Sequence, residues 1–338
     1  MTNRQAIINS FKHIPSDLVP YSLRMETGIV AKLNDYYGTA DWQNKIRSYI
    51  NWLPVVDTIG TRDIKNGRQA DAYGSIWIKS PHGVPVQEKP ALDVPSLKNY
   101  QWPASSVFTN PLIEKIGEYK RQCEDIGRYR LLKFSWGLFE QSWAIRGFEN
   151  MLTDILIEQE FYGELLGRLA ENFMAMLRAC RDIPADGIMI AEDWGMQTGT
   201  IVSPDLWRKF FKPHWKIIAD EIHGQKKDLI VHCCGSYEAL LPDAVELGID
   251  CMESVQPEAF NMNPYKLKQK YGKDISFWGC LGNQSIIQFG TPEKIREEIH
   301  HLKREMSAGG GYILAAAKAI QAETPVENAA AVYEAFTE

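Results

Sequence analysis

The feature that most constrains the fold is an alternation of short apolar runs with helical segments from residue 130 onward. The predicted strands of this part cover residues 131–137, 187–195, 228–235, 250–257, 275–280 and 311–317. Two further apolar runs, near residues 20 and 54, bring the number of strands to eight. Alternating strands and helices imply a parallel sheet, and eight such units predict a (β/α)8 TIM barrel rather than an open doubly wound sheet.

The pattern changes between residues 61 and 90. Residues 71–79 alternate in polarity as a half-exposed hairpin does, and residues 80–85 read as a turn. We therefore predict one barrel domain over residues 1–338, with an inserted β-hairpin and loop at 61–90 that covers one end of the barrel.

Composition excludes several classes of protein. Of the 338 residues, 45% are hydrophobic and 24% are charged, and the net charge is −6 without a basic run. Nucleic acid and anionic membranes are therefore not expected partners. The first residues lack the apolar core of a signal peptide, and six cysteines without regular spacing do not indicate a disulfide framework. A cytoplasmic protein is expected.

The barrel reading makes a prediction about where polar residues lie, because active sites of such barrels form at the carboxyl ends of the strands. Residues 228–232 end in His232, and Cys234 follows two positions later. Side chains of a strand alternate with period two, so both should project to the same side. An imidazole and a thiol on one side of a strand end are a ligand pair for zinc.

Several segments of the second half carry a family resemblance. They are His232-x-Cys234 with its Gly-Ser turn, the preceding Glu192-Asp193, and residues 202–213, 289–299, 309–314 and 319–328. Together they resemble the uroporphyrinogen decarboxylase superfamily, closely over about residues 185–336 and loosely before them. That superfamily has a (β/α)8 barrel, in agreement with the strand count.

The resemblance leads to two branches. The decarboxylases carry an N-terminal Arg-x-Ala-Gly-Arg loop that holds the substrate carboxylates, whereas residues 23–28 here contain only Arg24 and an added acid, Glu26. A polycarboxylate would meet little positive charge there. The corrinoid-dependent, zinc-containing methyltransferases resemble one another in a His-x-Cys pair and a second cysteine on the last strand. His232 and Cys234 match that pair, and Lys318 occupies the place of the second cysteine.

The resemblance implies zinc at His232 and Cys234, but a lysine ammonium does not bind zinc, so either another strand supplies a ligand or the metal is absent. Cys280, at the end of the neighbouring strand, is the natural substitute thiolate. An acid from the adjacent strand ends would add an oxygen ligand. We also expect Lys318 to form an ion pair with an acid at position 192, 193 or 253, because an unpaired buried charge is costly. The predicted catalytic residues are Lys318, Glu192 and Asp193, and the predicted substrate-binding residues are Arg24, Trp136, Trp194 and Gln256.

Three functions remain open from the sequence. The first is a methyltransferase that moves a methyl group between a small methylated or methoxylated compound, or a thiol, and a corrinoid protein, as in O-demethylation. Zinc is the expected cofactor, and the corrinoid would come with the partner protein. The second is a decarboxylase of uroporphyrinogen or a smaller carboxylate. The third is a non-catalytic barrel that binds a ligand or a corrinoid protein.

Overall fold

The computed structural model describes residues 1–55, 62–64, 67–79 and 85–338, without the side chain of Lys79. Eight parallel strands form the central sheet. They are β1 (Tyr21–Ser22), β2 (Ile50–Pro54), β7 (Tyr129–Phe134), β8 (Gly187–Ala191), β11 (Asp228–His232), β12 (Cys251–Val255), β13 (Ser276–Leu281) and β14 (Tyr312–Ala316). Their hydrogen-bonded order is β1-β14-β13-β12-β11-β8-β7-β2, which is chain order around a ring.

The two ends of this sheet meet. Tyr21 of β1 packs edge-on against Tyr49, just before β2, with ring centroids 5.1 Å apart. The backbone N–H of Arg47 donates to the Tyr21 hydroxyl at 2.8 Å. The sheet is therefore a nearly closed barrel, and the predicted (β/α)8 fold is confirmed.

Helices surround the barrel. They are α1 (Asn3–Phe11), α2 (Thr27–Tyr37), α3 (Ser106–Gln122), α4 (Leu138–Arg146), α5 (Phe148–Ile157), α6 (Gln159–Ala179), α7 (Pro204–Phe210), α8 (Lys212–Gly224), α9 (Leu241–Glu246), α10 (Pro264–Tyr271), α11 (Pro292–Glu305) and α12 (Val326–Thr337). The side chains of Ser203 and Thr291 cap α7 and α11, each followed by a proline, as their sequences predict. The helical segment at residues 204–224 consists of two helices, α7 and α8, which divide at Phe211.

The core lies on both faces of the barrel wall. Every residue of β8, β12 and β14 is buried. Strands that are covered on the inside by other strands and on the outside by helices read as continuous apolar runs. This burial explains why the sequence shows unbroken runs there rather than alternation.

The insertion is larger than the predicted hairpin. The strands β3 (Arg62–Ile64), β4 (Arg68–Ala70), β5 (Ile76–Lys79) and β6 (Pro85–Lys89) form a four-stranded antiparallel sheet. Ser75 attaches it to the barrel, because its hydroxyl donates to the carbonyl of Ala144 in α4 at 2.7 Å. Residues 61, 65–66 and 80–84 of the predicted insertion lie outside the described residues. The extent of the domain, residues 1–338, stays a prediction.

A small hairpin, β9 (Gly195–Met196) with β10 (Gly199–Thr200), follows β8 at the same end of the barrel. Among the described residues, no helix combines the length and apolar content that crossing a membrane requires.

Candidate metal and active site

The candidate site lies at the carboxyl ends of β8, β11 and β12. His232 is the last residue of β11, and the sheet register places it beside Ala191 of β8 and Glu253 of β12. The chain turns immediately after β8 and β11, so Asp193 and Cys234 sit just above the strand ends. Parallel strands thus bring four functional side chains from distant parts of the sequence to one end of the barrel.

Asp193, His232 and Cys234 form a group with the spacing of metal ligands. One ligand atom of each lies within 4.8 Å of the others. The distance from Cys234 Sγ to His232 Nε2 is 3.5 Å. Two ligands of one tetrahedral zinc, a nitrogen at about 2.1 Å and a sulfur at about 2.3 Å, lie roughly 3.6 Å apart. The nitrogen and the sulfur therefore have the spacing of two zinc ligands, and the nearby carboxylate oxygen is a third donor of a type that zinc accepts.

Glu253 holds the other side of the His232 ring. Its Oε2 is hydrogen-bonded to His232 Nδ1, which leaves Nε2 directed toward Cys234. Metal-binding histidines characteristically give their second ring nitrogen to a carboxylate in this way. Burial disfavours the imidazolium, but the Glu253 carboxylate and Cys234 outweigh it and hold the pKa of His232 well above its ordinary value.

Glu253 also binds Arg24. The distance from Arg24 Nη2 to Glu253 Oε1 is 2.7 Å, and the guanidinium lies over the ring of Trp52. Burial alone would raise the pKa of Glu253, whereas His232 and Arg24 lower it to about 2. Glu253 is therefore a carboxylate enclosed by two cations, and Arg24 is committed to it.

Glu192 occupies the amino end of α4. Its carboxyl oxygens accept the backbone N–H of Phe139 at 3.0 Å, and Glu140 N lies 3.4 Å away. Burial raises the pKa of Glu192 to about 8, although these N–H groups act in the opposite direction. The carboxyl fits because residue 137 is glycine. A Cβ atom at this position would lie only 2.3 Å from a side-chain carbon of Glu192.

The structure corrects the prediction for Cys280. The thiol is buried, and it is not part of the metal-type group found among the described residues. Burial raises the pKa of the Cys280 thiol. The other groups that act on this pKa are Tyr312 of β14 and the outer-helix residues Glu298 and Lys268. Cys280 has a φ of 77° and follows Gly279 with a φ of 121°, so the period-two rule fails at this strand end. The third member of that group is Asp193.

The ion pair expected for Lys318 is also wrong. Its side chain is exposed, and it has no salt bridge within the part of the chain that the structure describes. The backbone N–H of Lys318 donates to Asn283 Oδ1 at 2.8 Å. The expected acids have other partners: Glu253 pairs with Arg24 and His232, and Asp193 Oδ1 accepts the N–H of Cys234 at 2.9 Å. Hydration of an exposed lysine removes the reason for pairing it.

The predicted substrate-binding residues divide into two groups. Trp136 is half-buried and packs with Trp77 of the inserted sheet and with Trp143, at 5.7 and 5.4 Å between ring centroids. Trp194 is buried against Trp207 and Trp215 of the outer helices, so its assignment to substrate is wrong.

The other two residues lie at the barrel mouth. Arg24 reaches the site through Glu253. Gln256 accepts the N–H of Gly235 and donates to Gln197, each at 3.3 Å. Its amide thus joins the loops after β8 and β11, so it supports the position of Cys234.

Sequence reasoning missed two charged groups of the site. Glu140 in the first turn of α4 acts electrostatically on Glu192, Asp193 and His232. Lys133 of β7 acts on both Glu140 and Glu253. Lys133 could have been recognised from the sequence, because a lysine inside an apolar barrel strand is unusual. Glu140 had no such signal, because it lies in a helix after the strand end.

A family model described as uroporphyrinogen decarboxylase (URO-D) matches residues 69–338. The chain belongs to the uroporphyrinogen decarboxylase family. The predicted resemblance to this superfamily is confirmed.

Relatives of this URO-D family protein come from both branches. Methylated-thiol–coenzyme M methyltransferase of Methanosarcina mazei is 30% identical over 142 residues, which cover 42% of this chain and 35% of the relative. Uroporphyrinogen decarboxylase of Carboxydothermus hydrogenoformans is 25% identical over 179 residues, covering 53% and 48%. The matched stretches thus span between a third and a half of these curated relatives. The first of them confirms the predicted resemblance to the methyltransferase branch.

A solved structure shows the same fold over nearly the whole chain. The methyltransferase from Methanosarcina mazei superposes with a TM-score of 0.72 over 99% of this chain and 98% of its own, at 19% identity. This match supports the barrel architecture of the URO-D family protein.

Proposed function

We propose that this URO-D family protein is a methyltransferase that exchanges a methyl group between a small methylated compound and a corrinoid protein, with zinc at the site. The observation that carries the proposal is the group of Asp193, His232 and Cys234, with Glu253 behind His232. A decarboxylation that needs no metal has no use for a thiol and an imidazole at ligand spacing.

The residues of the chain have distinct roles in this proposal. Asp193, His232 and Cys234 would hold the ion, which supplies a Lewis acid when bound. Glu253 fixes the tautomer and orientation of His232, and Asp193 orients the backbone of Cys234 through its N–H. The position of each ligand is thus set by a second group rather than by the ion alone.

The same end of the barrel carries aromatic side chains that suit a small organic substrate. Trp136, Trp77 and Trp143 form an aromatic cluster between the barrel and the inserted sheet. Aromatic faces pack favourably against aromatic rings and methyl groups. We infer that the methyl donor or acceptor lies against this cluster, and that the corrinoid protein approaches the same end of the barrel. O-Demethylation of a methoxylated ring is one reaction of this type.

The alternative function is decarboxylation, which the Carboxydothermus relative performs by its name. The charge of the site argues against a polycarboxylate substrate. Arg24 is the cation at the position of the decarboxylase arginine loop, and Glu253 already neutralises it at 2.7 Å. A substrate with several carboxylates requires several uncommitted cations.

Metal content and methyl transfer test the proposal together. Purified protein should contain one zinc per chain and should demethylate methylcobalamin in the presence of a thiol, which is followed by the change in cobalamin absorbance. Replacing Cys234 by Ala should abolish zinc retention and methyl transfer. The matched control is Cys280→Ala, which removes a buried thiol outside the ligand group and should keep zinc.

The outcomes separate the three functions. Zinc together with methyl transfer supports the proposal. Decarboxylation of uroporphyrinogen by metal-free protein would support the alternative. Zinc without turnover of either kind would favour a non-catalytic barrel that binds a ligand or a corrinoid protein.

A further inference from the structure

We propose that Glu140 is a catalytic residue that delivers a proton to the oxygen or sulfur from which the methyl group departs. The substrates would then be methyl ethers or methyl thioethers rather than methylated cations. This inference rests on the proposed function and assigns a role to a residue that neither the sequence motifs nor the family resemblance identify.

The Glu140 carboxyl lies in an unfavourable environment. Oε2 is buried and has no hydrogen-bond partner within the described part of the chain. A buried carboxyl oxygen without a partner is unfavourable, because it has lost water and gained nothing in exchange. The residue lies in the first turn of α4, directly above the end of β7. A substrate atom in the barrel mouth would supply the missing partner.

Glu140 also holds the proton that the proposed step requires. Burial raises the pKa of Glu140 to about 9, and the neighbouring carboxyls of Glu192 and Asp193 add to it. His232 and Lys133 oppose the rise. These charged groups face Glu140 from β7, from β11 and from the end of β8. The carboxyl therefore carries its proton at neutral pH and has something to donate.

The other candidate acids are less suitable. The oxygens of Glu192 are occupied by backbone N–H groups, and its side chain is fully buried. The exposed side chain of Lys318 lies in water, apart from the acids of the site. Glu140 combines a proton with a buried oxygen that has no protein partner.

The proposed methyl transfer breaks one bond to the methyl carbon and forms another. The bond between the methyl carbon and the substrate oxygen breaks, and its electron pair stays on the oxygen. Co(I) of the corrinoid co-substrate supplies the two electrons of the new bond to the methyl carbon. The oxygen takes the proton from Glu140, which becomes a carboxylate and later regains a proton from water. A methyl sulfonium or quaternary ammonium ion needs no such proton, because its leaving group departs neutral.

The test uses the zinc-loaded protein, chemically reduced cob(I)alamin, and a series of ring-substituted methoxybenzenes with phenols of graded acidity. Glu140→Gln should lower kcat by about 10²- to 10⁴-fold for the least acidic phenol and much less for 4-nitroanisole. KM should change little. The wild type should lose activity as pH rises into the alkaline range, and Glu140→Gln should lack this loss.

Controls separate the role from a structural effect. Glu149→Gln makes the same change at an exposed position of α5 and should behave as wild type. Glu140→Asp keeps an acid and should recover part of the lost rate. Zinc content and the far-UV circular dichroism spectrum should match those of the wild type in all three variants.

Two results would overturn the inference in distinguishable ways. If the wild type demethylates the ethers and Glu140→Gln does so equally well across the series, Glu140 is not the acid, while the proposed function stands. If the wild type transfers no methyl group from any of these ethers or from thioanisole, the proposed function itself fails, and the role of Glu140 fails with it.

Discussion

At the scale of single residues, Glu253 connects the metal-type ligands with the rest of the mouth. It is buried and holds His232 with one oxygen and Arg24 with the other. Its pKa of about 2 keeps it ionised at any physiological pH. The orientation of His232 Nε2 toward Cys234 therefore depends on a charge that is always present.

Replacing Glu253 by Gln should weaken zinc binding by about 10- to 100-fold, the range expected when the carboxylate behind a metal-binding histidine is lost. Competition with a chromogenic chelator measures the affinity. Glu258→Gln is the matched control, because Glu258 instead binds Gln284 N and Ser285 Oγ at 2.9 and 2.7 Å. Equal affinities in the two variants would contradict the role of Glu253.

Glu140 should also leave a signature in stability. Its pKa is about 9 in the folded protein against an ordinary 4.5, so the folded state holds a proton that the unfolded chain has lost between these pH values. The free energy of unfolding should therefore fall as pH rises through this window, by up to about 1.4 kcal/mol per pH unit relative to Glu140→Gln. Urea unfolding of the metal-free proteins measures it. Parallel pH profiles would show that Glu140 is not protonated.

At the scale of elements, the amino end of α4 and the carboxyl end of β8 are built around each other. Glu192 at the end of β8 satisfies N–H groups of the first turn of α4, which otherwise have no partner in a helix. Gly137, just before the helix, leaves the space that this carboxyl fills. The packing of these two elements also fixes where Glu140 points.

Gly137→Ala should destabilise the protein by about 1–3 kcal/mol, because the added methyl group overlaps the Glu192 carboxyl and forces a local shift. Gly167→Ala in α6 provides the control. A methyl group there meets no atom within 4 Å and should be neutral or stabilise by about 0.4–1 kcal/mol. Urea unfolding compares the two; equal stabilities would mean that the carboxyl of Glu192 moves aside freely.

Ser75 is one of the residues that attach the inserted sheet to the barrel. The buried hydroxyl donates to Ala144 O and accepts Ala91 N–H at 3.1 Å. Ser75→Ala should cost about 1 kcal/mol, because the N–H of Ala91 loses its partner while Ala144 O keeps the hydrogen bond from Gln87 Nε2. The exposed Ser106→Ala should change stability by less than about 0.5 kcal/mol. Thermal unfolding distinguishes these values, and a neutral Ser75→Ala would place the attachment elsewhere.

At the scale of the whole molecule, the barrel follows from the sequence because buried parallel strands appear as separate apolar runs. The same reasoning predicts that His232 and Cys234 lie on one side of the strand end, and Cys234 Sγ lies 3.5 Å from His232 Nε2. It fails at Cys280, where positive φ values at residues 279 and 280 accompany a register shift between β12 and β13. Backbone irregularity of this kind leaves no pattern in the sequence that a period-two rule detects.

Tertiary placement explains the other differences. The sequence gives no measure of exposure, so Lys318 was expected to be buried beside an acid and is exposed instead. Trp194 follows a strand end, as site residues do, yet its side chain packs outward on α7 and α8. Glu140 reaches the site from a helix, and only the packing of α4 over β7 and β8 brings it there.

We propose that a single cysteine, Cys234, holds zinc together with His232 and Asp193. X-ray absorption spectroscopy at the zinc edge of the purified protein tests it most directly, because sulfur and nitrogen or oxygen scatterers are distinguished by distance and strength. We expect one sulfur per zinc at about 2.3 Å, with nitrogen and oxygen ligands at about 2.0–2.2 Å. Two sulfur ligands would restore Cys280 to the site and would contradict a site with one cysteine. Purified protein that takes up no zinc would contradict the zinc site itself.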